Sequence, residues 1–141
     1  MALRILIADD HEATRDGLRL LLETHDHIAI VAEAANGEEA IQMSRKHLPD
    51  LVIMDISMPV LNGIEATKVV KKQLPQIGII AFSINLSYEH IARVVQAGAA
   101  GFLLKESLGN ELIKAIYAVS EGKVFFSSKI DTSRLAAISS S

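Results

Sequence analysis

Three aspartates, one lysine and one serine stand where short apolar runs of the sequence end. Asp9 and Asp10 follow the first run, Asp55 the third, Ser83 the fourth and Lys105 the fifth. Three carboxylates that meet without a cation repel one another strongly. A hard divalent cation relieves this repulsion, and oxygen ligands with open water positions suit Mg²⁺, usually together with a phosphate. The residue types therefore predict Mg²⁺-dependent phosphate chemistry.

Lys105 and Ser83 complete the predicted site. A lysine ammonium is a point charge suited to a phosphoryl oxygen, and a serine hydroxyl can donate a hydrogen bond to the same group. With the metal, they predict that Asp55 acts as a nucleophile and carries an aspartyl phosphate. Phosphoryl transfer depends mainly on positioning and charge neutralisation, so no side-chain base is required. His11 follows the acidic pair, but we do not predict it as a metal ligand, because the sequence offers no second soft ligand nearby.

Each of these residues also has an ordinary structural explanation. An aspartate at the end of a strand is usually part of a turn or caps the next helix, as Asp9 or Asp10 could do. A single lysine is usually a solvated surface residue. The functional interpretation rests on the combination, because every one of these strand ends carries a residue type that the site needs.

Five apolar runs alternate along the chain with segments in which apolar residues recur at helical spacing. The runs are 3–8, 28–32, 51–54, 77–82 and 100–104. Strands that are apolar on both sides are typical of a parallel sheet covered by helices on both faces. The pattern predicts an α/β fold, a doubly wound five-stranded parallel sheet with flanking helices. Such folds bind ligands at the carboxyl ends of their strands, where the polar residues lie.

Composition excludes several other kinds of protein. The 141 residues fit one domain, and with 50% hydrophobic and 22% charged residues they can form a core. No apolar run approaches the roughly 18 residues of a membrane span. The acidic pair interrupts the first run too early for a signal peptide, so we predict a cytoplasmic protein. The absence of cysteine excludes disulfides and thiolate metal sites. A net charge of −3 and 4% aromatic residues argue against direct nucleic-acid binding.

Four parts of the sequence resemble the receiver domain of two-component response regulators. They are residues 7–11 (IADDH), 54–63 (MDISMPVLNG), Ser83, and 98–105 (GAAGFLLK). The ADDH and GAAGFLLK segments are similar to the NarL/FixJ, or LuxR-type, subfamily in particular. The resemblance covers about residues 3–120. It implies a flavodoxin-like receiver fold over residues 1–121, followed over 122–141 by a linker or a short extra helix.

The resemblance implies a role for each acidic residue. Asp55 would accept a phosphoryl group from a sensor histidine kinase or from a small phosphodonor. Mg²⁺ would bind Asp10 and Asp55 directly and Asp9 through water, and the backbone carbonyl of Ser57 would complete the protein ligands.

The resemblance also implies a conformational switch. Lys105 would pair with the phosphoryl group, Ser83 would move to hydrogen-bond it, and Phe102 would turn inward as Ser83 moves. Tyrosine is commoner than phenylalanine at position 102 in this subfamily. Phe102 lacks the tyrosine hydroxyl, so no hydroxyl can serve as a polar anchor there. Ile84 is bulkier than the small residue of many receivers, and we expect it to restrict access to Asp55. The expected outcome of the switch is a phosphorylation-biased equilibrium between two conformations.

The implied partners are a sensor histidine kinase and, through a helix-turn-helix domain that this chain lacks, DNA. We expect the chain to be part of a longer transcriptional regulator, with a standalone receiver as the alternative. Homodimer formation through exposed helices is left open. No membrane contact is expected.

Two other functions fit parts of the sequence. A phosphatase-type hydrolase would need a second acid two residues after the nucleophile, and that position is Ser57. We therefore do not predict an enzyme, beyond slow autodephosphorylation at most. A phosphorylation-independent interaction module is the other alternative, and the residues at positions 84 and 102 leave room for it.

Overall fold

Strands and helices alternate along the chain, as the apolar runs predict. The computed structural model describes residues 2–139, with side chains over 2–138. The strands are β1 (Leu3–Ala8), β2 (Ile28–Ala34), β3 (Leu51–Asp55), β4 (Gly78–Ser83), β5 (Gly101–Leu104) and β6 (Phe125–Phe126). The helices are α1 (Glu12–Glu23), α2 (Gly37–His47), α3 (Gly63–Gln73), α4 (Tyr88–Gln96), α5 (Leu108–Ser120) and α6 (Thr132–Ser139), and a 3-10 turn (Lys105–Ser107) precedes α5.

All the strands form one parallel sheet in the order β2-β1-β3-β4-β5-β6. The predicted doubly wound sheet is confirmed, but the predicted number of five strands is too small by one. The sixth strand consists of Phe125 and Phe126, which pair with Gly101 and Phe102 at the edge of the sheet. Two residues cannot show an apolar periodicity, so the sequence pattern does not reveal this strand.

The core has two layers, one on each face of the sheet, because successive side chains of a strand point to opposite faces. On β1, Ile5 and Ile7 pack in one layer with Leu18 of α1 and with apolar residues of α5. Leu6 and Ala8 pack in the other layer with apolar residues of α2, α3, α4 and α6. All four β1 side chains are fully buried. Burial on both faces explains why the strands are apolar throughout.

The ends of the helices follow local sequence signals. Asn36 and Asn62 each begin a helix, and their side chains accept hydrogen bonds from backbone N–H groups three residues later. Helix α2 ends at His47, and the capping residue Leu48 has φ 47° and precedes Pro49. Across the described part of the chain, no helix combines the length and the apolar character needed to cross a membrane.

The segment after α5 packs against the sheet edge and α4. The Ser127 N–H donates a hydrogen bond to the Phe102 carbonyl at 2.9 Å. The buried Leu135 of α6 belongs to the same core layer as Phe102. The Tyr88 hydroxyl at the start of α4 accepts a hydrogen bond from the Asp131 N–H at 2.9 Å. Helix α6 lies within the region 122–141, for which the sequence allowed a linker or a short extra helix, and residues 140–141 lie outside the described part.

Candidate functional site

The predicted site residues lie at the carboxyl ends of neighbouring strands. The chain moves to one side of β1 to form β2 and to its other side to form β3, so the strand order reverses at this point. Such a reversal leaves a crevice at the carboxyl ends of the two central strands. Asp9 and Asp10 directly follow β1, and Asp55 is the last residue of β3.

Asp55 is almost completely buried, with 7% of its surface exposed. Its Oδ1 atom accepts a hydrogen bond from the Ser57 N–H at 2.9 Å. Burial raises the pKa of Asp55 to about 7, and the charges of Asp9 and Asp10 add to this effect. The Ser57 hydrogen bond and the charge of Lys105 act in the opposite direction. Without a cation, the site therefore disfavours the ionised form of its central carboxylate.

Ligand atoms of Asp9, Asp10, His11 and Asp55 all lie within 4.8 Å of one another. Asp9 is fully buried, and its Oδ1 atom accepts a hydrogen bond from the His11 N–H at 2.7 Å. The His11 ring Nδ1 lies 3.2 Å from one oxygen of Asp9 and 3.2 Å from one oxygen of Asp10. His11 is not predicted as a metal ligand from the sequence, yet the structure places its ring against both carboxylates.

Two carboxylate oxygens of this cluster suit a small, hard cation. Asp9 Oδ2 and Asp10 Oδ1 are buried and accept no hydrogen bond from the described residues. Asp10 Oδ1 has the His11 Nδ1 atom 3.2 Å away. Buried carboxylate oxygens that accept no hydrogen bond are costly in a folded protein, and a bound cation removes that cost. The ligand set is rich in oxygen and close to Asp55, which fits Mg²⁺ better than a soft metal.

Ser83 and Lys105 lie at the ends of the next two strands. Ser83 is the last residue of β4 and is 6% exposed, and its Oγ atom accepts a hydrogen bond from the Asn85 N–H at 3.2 Å. Lys105 follows β5 and is half-buried, and its positive charge acts on Asp55. The neighbouring Ile84 is 70% exposed. The cluster that contains Asp55 thus has a cationic and a hydroxyl-bearing side chain at adjacent strand ends.

Phe102, the residue at the predicted switch position, is fully buried in the core layer that also contains Leu135. The resemblance to receiver domains implies an inward turn of this ring as Ser83 moves. The ring is already inside in this structure, beneath the C-terminal segment.

The loop that follows β3 leads to Gly63, the first residue of α3. The Gly63 backbone lies so close to Asp55 that only glycine fits there. The Gly63 N–H donates a hydrogen bond to the Ile56 carbonyl at 3.1 Å. A Cβ atom on Gly63 would lie 2.1 Å from the Asp55 carbonyl oxygen, which is a severe overlap with backbone. Gly63 therefore fixes the backbone that carries Asp55.

We predict that Gly63→Ala destabilises the protein by about 2 kcal/mol or more, because the new methyl group forces the Asp55 backbone to move. Gly17→Ala is the matched control, since Gly17 lies inside α1 and a Cβ there would have no atom within 4 Å. Gly17→Ala should raise the free energy of unfolding by up to about 1 kcal/mol. Urea denaturation measures the free energy of unfolding of both variants. Equal values for the two would contradict the close approach of Gly63 to the Asp55 carbonyl.

Arg15 and Glu33, for which the sequence predicts no role, form a pair beside Asp9. The Arg15 side chain donates a hydrogen bond from Nη1 to the Asp9 carbonyl at 2.6 Å, and from Nε to Glu33 Oε1 at 3.0 Å. Charged residues near the start of a helix are common, and Glu33 lies on a different element, so the sequence alone carries no signal for this contact.

Comparison with known proteins identifies the family to which the chain is similar. The family model of the response regulator receiver domain matches residues 5–117. The transcriptional regulatory protein MctR of Rhizobium johnstonii is 38% identical over 128 residues, which are 91% of this chain and 60% of that protein. The response regulator UvrY of Escherichia coli is 38% identical over 128 residues, with 91% of this chain and 59% of that protein covered. This chain thus spans about 60% of the length of both relatives.

A solved structure extends the similarity to the whole fold. The crystal structure of a two-component response regulator of the LuxR family from Aurantimonas sp. SI85-9A1 superposes with a TM-score of 0.90 at 33% identity. The match covers 100% of both chains. The predicted flavodoxin-like receiver fold is confirmed. The chain belongs to the response regulator receiver domain family, and its relatives are LuxR- and NarL-type response regulators.

Proposed function

We propose that this receiver accepts a phosphoryl group on Asp55 in a Mg²⁺-dependent reaction, with a sensor histidine kinase as the donor. The observation that carries the proposal is the acidic cluster around Asp55. It contains a buried oxygen of Asp9 and a buried oxygen of Asp10 that accept no hydrogen bond from the described residues, the second of them beside the His11 ring. Burial and the neighbouring charges raise the pKa of Asp55 to about 7. A cation would neutralise this repulsion and leave Asp55 ionised, which is the form that attacks phosphorus.

Each residue at the strand ends receives a role in this proposal. Asp10 and Asp55 would hold Mg²⁺ directly, Asp9 would hold it through water, and the Ser57 carbonyl would add a further oxygen ligand. The metal, when bound, neutralises charge between the carboxylates and the incoming phosphoryl group. Lys105 places a second positive charge at the same group. Phosphoryl transfer needs mainly this positioning and neutralisation.

The output of the proposed switch is transcription. Ser83 would rotate from its contact with the Asn85 N–H toward the phosphoryl group, and Phe102 would respond in the adjacent strand. We propose that residues 1–121 form the receiver domain and that residues 122–141 begin the connection to a DNA-binding domain, as the relatives' regulatory names suggest. We further propose that the protein acts in the cytoplasm.

An enzyme is the less favoured function. Receiver domains of response regulators are generally not enzymes. A phosphatase of the aspartyl type would need a general acid two residues after Asp55, and the exposed Ser57 at that position cannot act as one. Asp55 is therefore suited to hold a phosphoryl group rather than to turn over a substrate.

Incubation with acetyl phosphate, followed by intact-mass measurement, tests the proposal. The protein should gain the mass of one phosphoryl group in the presence of Mg²⁺ and should gain almost none after EDTA treatment. Absence of an adduct with Mg²⁺, under conditions that preserve acyl phosphates, would contradict the proposed function. An adduct of equal yield with and without Mg²⁺ would contradict the metal-dependent part of it.

A further inference from the structure

The backbone of Asp9 is fixed on two sides. Its N–H donates a hydrogen bond to the Ala34 carbonyl of β2 at 3.0 Å. Its carbonyl accepts the 2.6 Å hydrogen bond from Arg15 Nη1. Asp9 lies in the short connection between β1 and α1, which belongs to neither the strand nor the helix. Asp9 directly follows Ala8, which pairs with Met54 of β3, and these two contacts hold the Asp9 backbone in addition to that pairing.

Arg15 is itself held in place by a carboxylate. Its Nε atom donates to Glu33 Oε1 at 3.0 Å, and the two side chains are only 17% and 27% exposed. Glu33 lies on β2, in register with Ile7 of β1. Burial acts to raise the pKa of Glu33, but hydrogen bonds from Arg19 and Arg15 outweigh this and lower it below its usual value. Glu33 therefore remains charged at neutral pH.

We propose that Arg15, held by Glu33, is a positioning residue that fixes the Asp9–Asp10 connection and so sets the affinity of the acidic cluster for a divalent cation. This inference rests on the proposed function, because it requires that Mg²⁺ binds at the cluster. Groups that orient metal ligands from outside the ligand set commonly change metal affinity by about 10-fold to 100-fold when mutated.

The chemistry of the contact calls for arginine. A guanidinium presents N–H groups in a planar fork, so Nε and Nη1 reach the Glu33 carboxylate and the Asp9 carbonyl at the same time. A lysine ammonium is a single point on a flexible stem and cannot reproduce both directions of the fork. Arg15→Lys therefore keeps the positive charge and loses the bridge.

The sign of the effect separates positioning from simple electrostatics. A positive charge near a cation site repels the cation, so removing it should tighten Mg²⁺ binding if charge alone matters. Loss of positioning should weaken Mg²⁺ binding instead. Arg15→Gln thus gives opposite results under the two explanations, and Arg15→Lys leaves the charge unchanged.

Arg19 provides a matched control. It lies one turn further along α1 and also donates to Glu33, with a Nε to Oε2 distance of 3.0 Å, but it makes no hydrogen bond to Asp9. Arg19→Gln removes the same charge from the same helix and leaves the Asp9 carbonyl bonded. We expect it to change the dissociation constant for Mg²⁺ by less than about twofold.

The experiment is calorimetric titration of the full 141-residue chain and its variants with MgCl₂, after thermal unfolding has shown that each variant is folded. We expect Arg15→Lys and Arg15→Gln each to weaken Mg²⁺ binding about tenfold, and Arg19→Gln to bind like the wild type. Unchanged or tighter binding by both Arg15 variants would overturn the inference and leave the proposed function intact, as would equal weakening by the Arg15 and Arg19 variants. Absence of Mg²⁺ binding by the wild type would overturn both.

Discussion

Replacing Asp55 by Asn is expected to abolish phosphoryl incorporation and, in the absence of metal, to make the protein more stable. The side-chain oxygen of asparagine can still accept the hydrogen bond that Ser57 donates to Asp55, so the fold should be preserved. Asparagine has no charge to repel Asp9 and Asp10 and cannot act as a carboxylate nucleophile. Loss of the adduct from a variant that is more stable than the wild type cannot be attributed to unfolding.

The stabilisation by Asn should depend on pH. The pKa of Asp55 is about 7 in the folded protein, raised by burial and by its acidic neighbours from an ordinary value of 3.8. Between these two values the folded state binds more protons than the unfolded state, so the wild type loses stability as the pH rises through this window. The advantage of Asn is therefore small below about pH 4 and reaches its full size, about 1–3 kcal/mol, above about pH 7.

Urea denaturation in EDTA at about pH 5 and about pH 8.5 measures this difference. Added Mg²⁺ should reduce it at the higher pH, because a cation that binds the folded wild type stabilises it by mass action. An Asn variant that is less stable than the metal-free wild type at the higher pH would show that the carboxylates do not repel one another in the folded protein.

Replacing Lys105 by Gln is expected to slow phosphorylation by acetyl phosphate about 100-fold without loss of Mg²⁺ binding. Lys105 follows β5, and its positive charge favours the ionised form of Asp55. Loss of one preorganised positive group at a reacting phosphoryl group typically costs about two to three orders of magnitude in rate. The same change removes a charge that repels Mg²⁺, so metal affinity should be equal or higher.

The rate is measured by following the phosphoryl adduct by intact mass over time. Lys114→Gln is the control. Lys114 is an exposed residue of α5, so this substitution removes the same charge from the protein surface. The control should react at the wild-type rate. Equal rates for Lys105→Gln and the wild type would remove Lys105 from the proposed mechanism.

Much of the site could be predicted from sequence because parallel strands bring their carboxyl ends to one edge. Asp9 and Asp55 follow apolar runs that are buried on both faces, and the structure places ligand atoms of these residues within 4.8 Å of each other. The apolar character of the runs predicted the parallel sheet, and the sheet then predicted which polar residues would meet.

The contacts that the sequence did not predict depend on tertiary geometry. Phe125 and Phe126 form a strand only because the edge of β5 is available to them. The direction of the His11 ring depends on the backbone at the start of α1, where His11 has extended φ and ψ values. The pair formed by Arg15 and Glu33 joins residues 18 positions apart on different elements, and neither residue is unusual in its own segment.

The central claim is that the phosphoryl group resides on Asp55, and chemical trapping of the modified carboxyl tests it most directly. Borohydride reduces an aspartyl phosphate to homoserine, which peptide sequencing by mass spectrometry can locate. After phosphorylation with Mg²⁺ and acetyl phosphate, we predict homoserine at position 55. Homoserine at position 9 or 10 instead, or an adduct that yields no homoserine at position 55, would contradict the account.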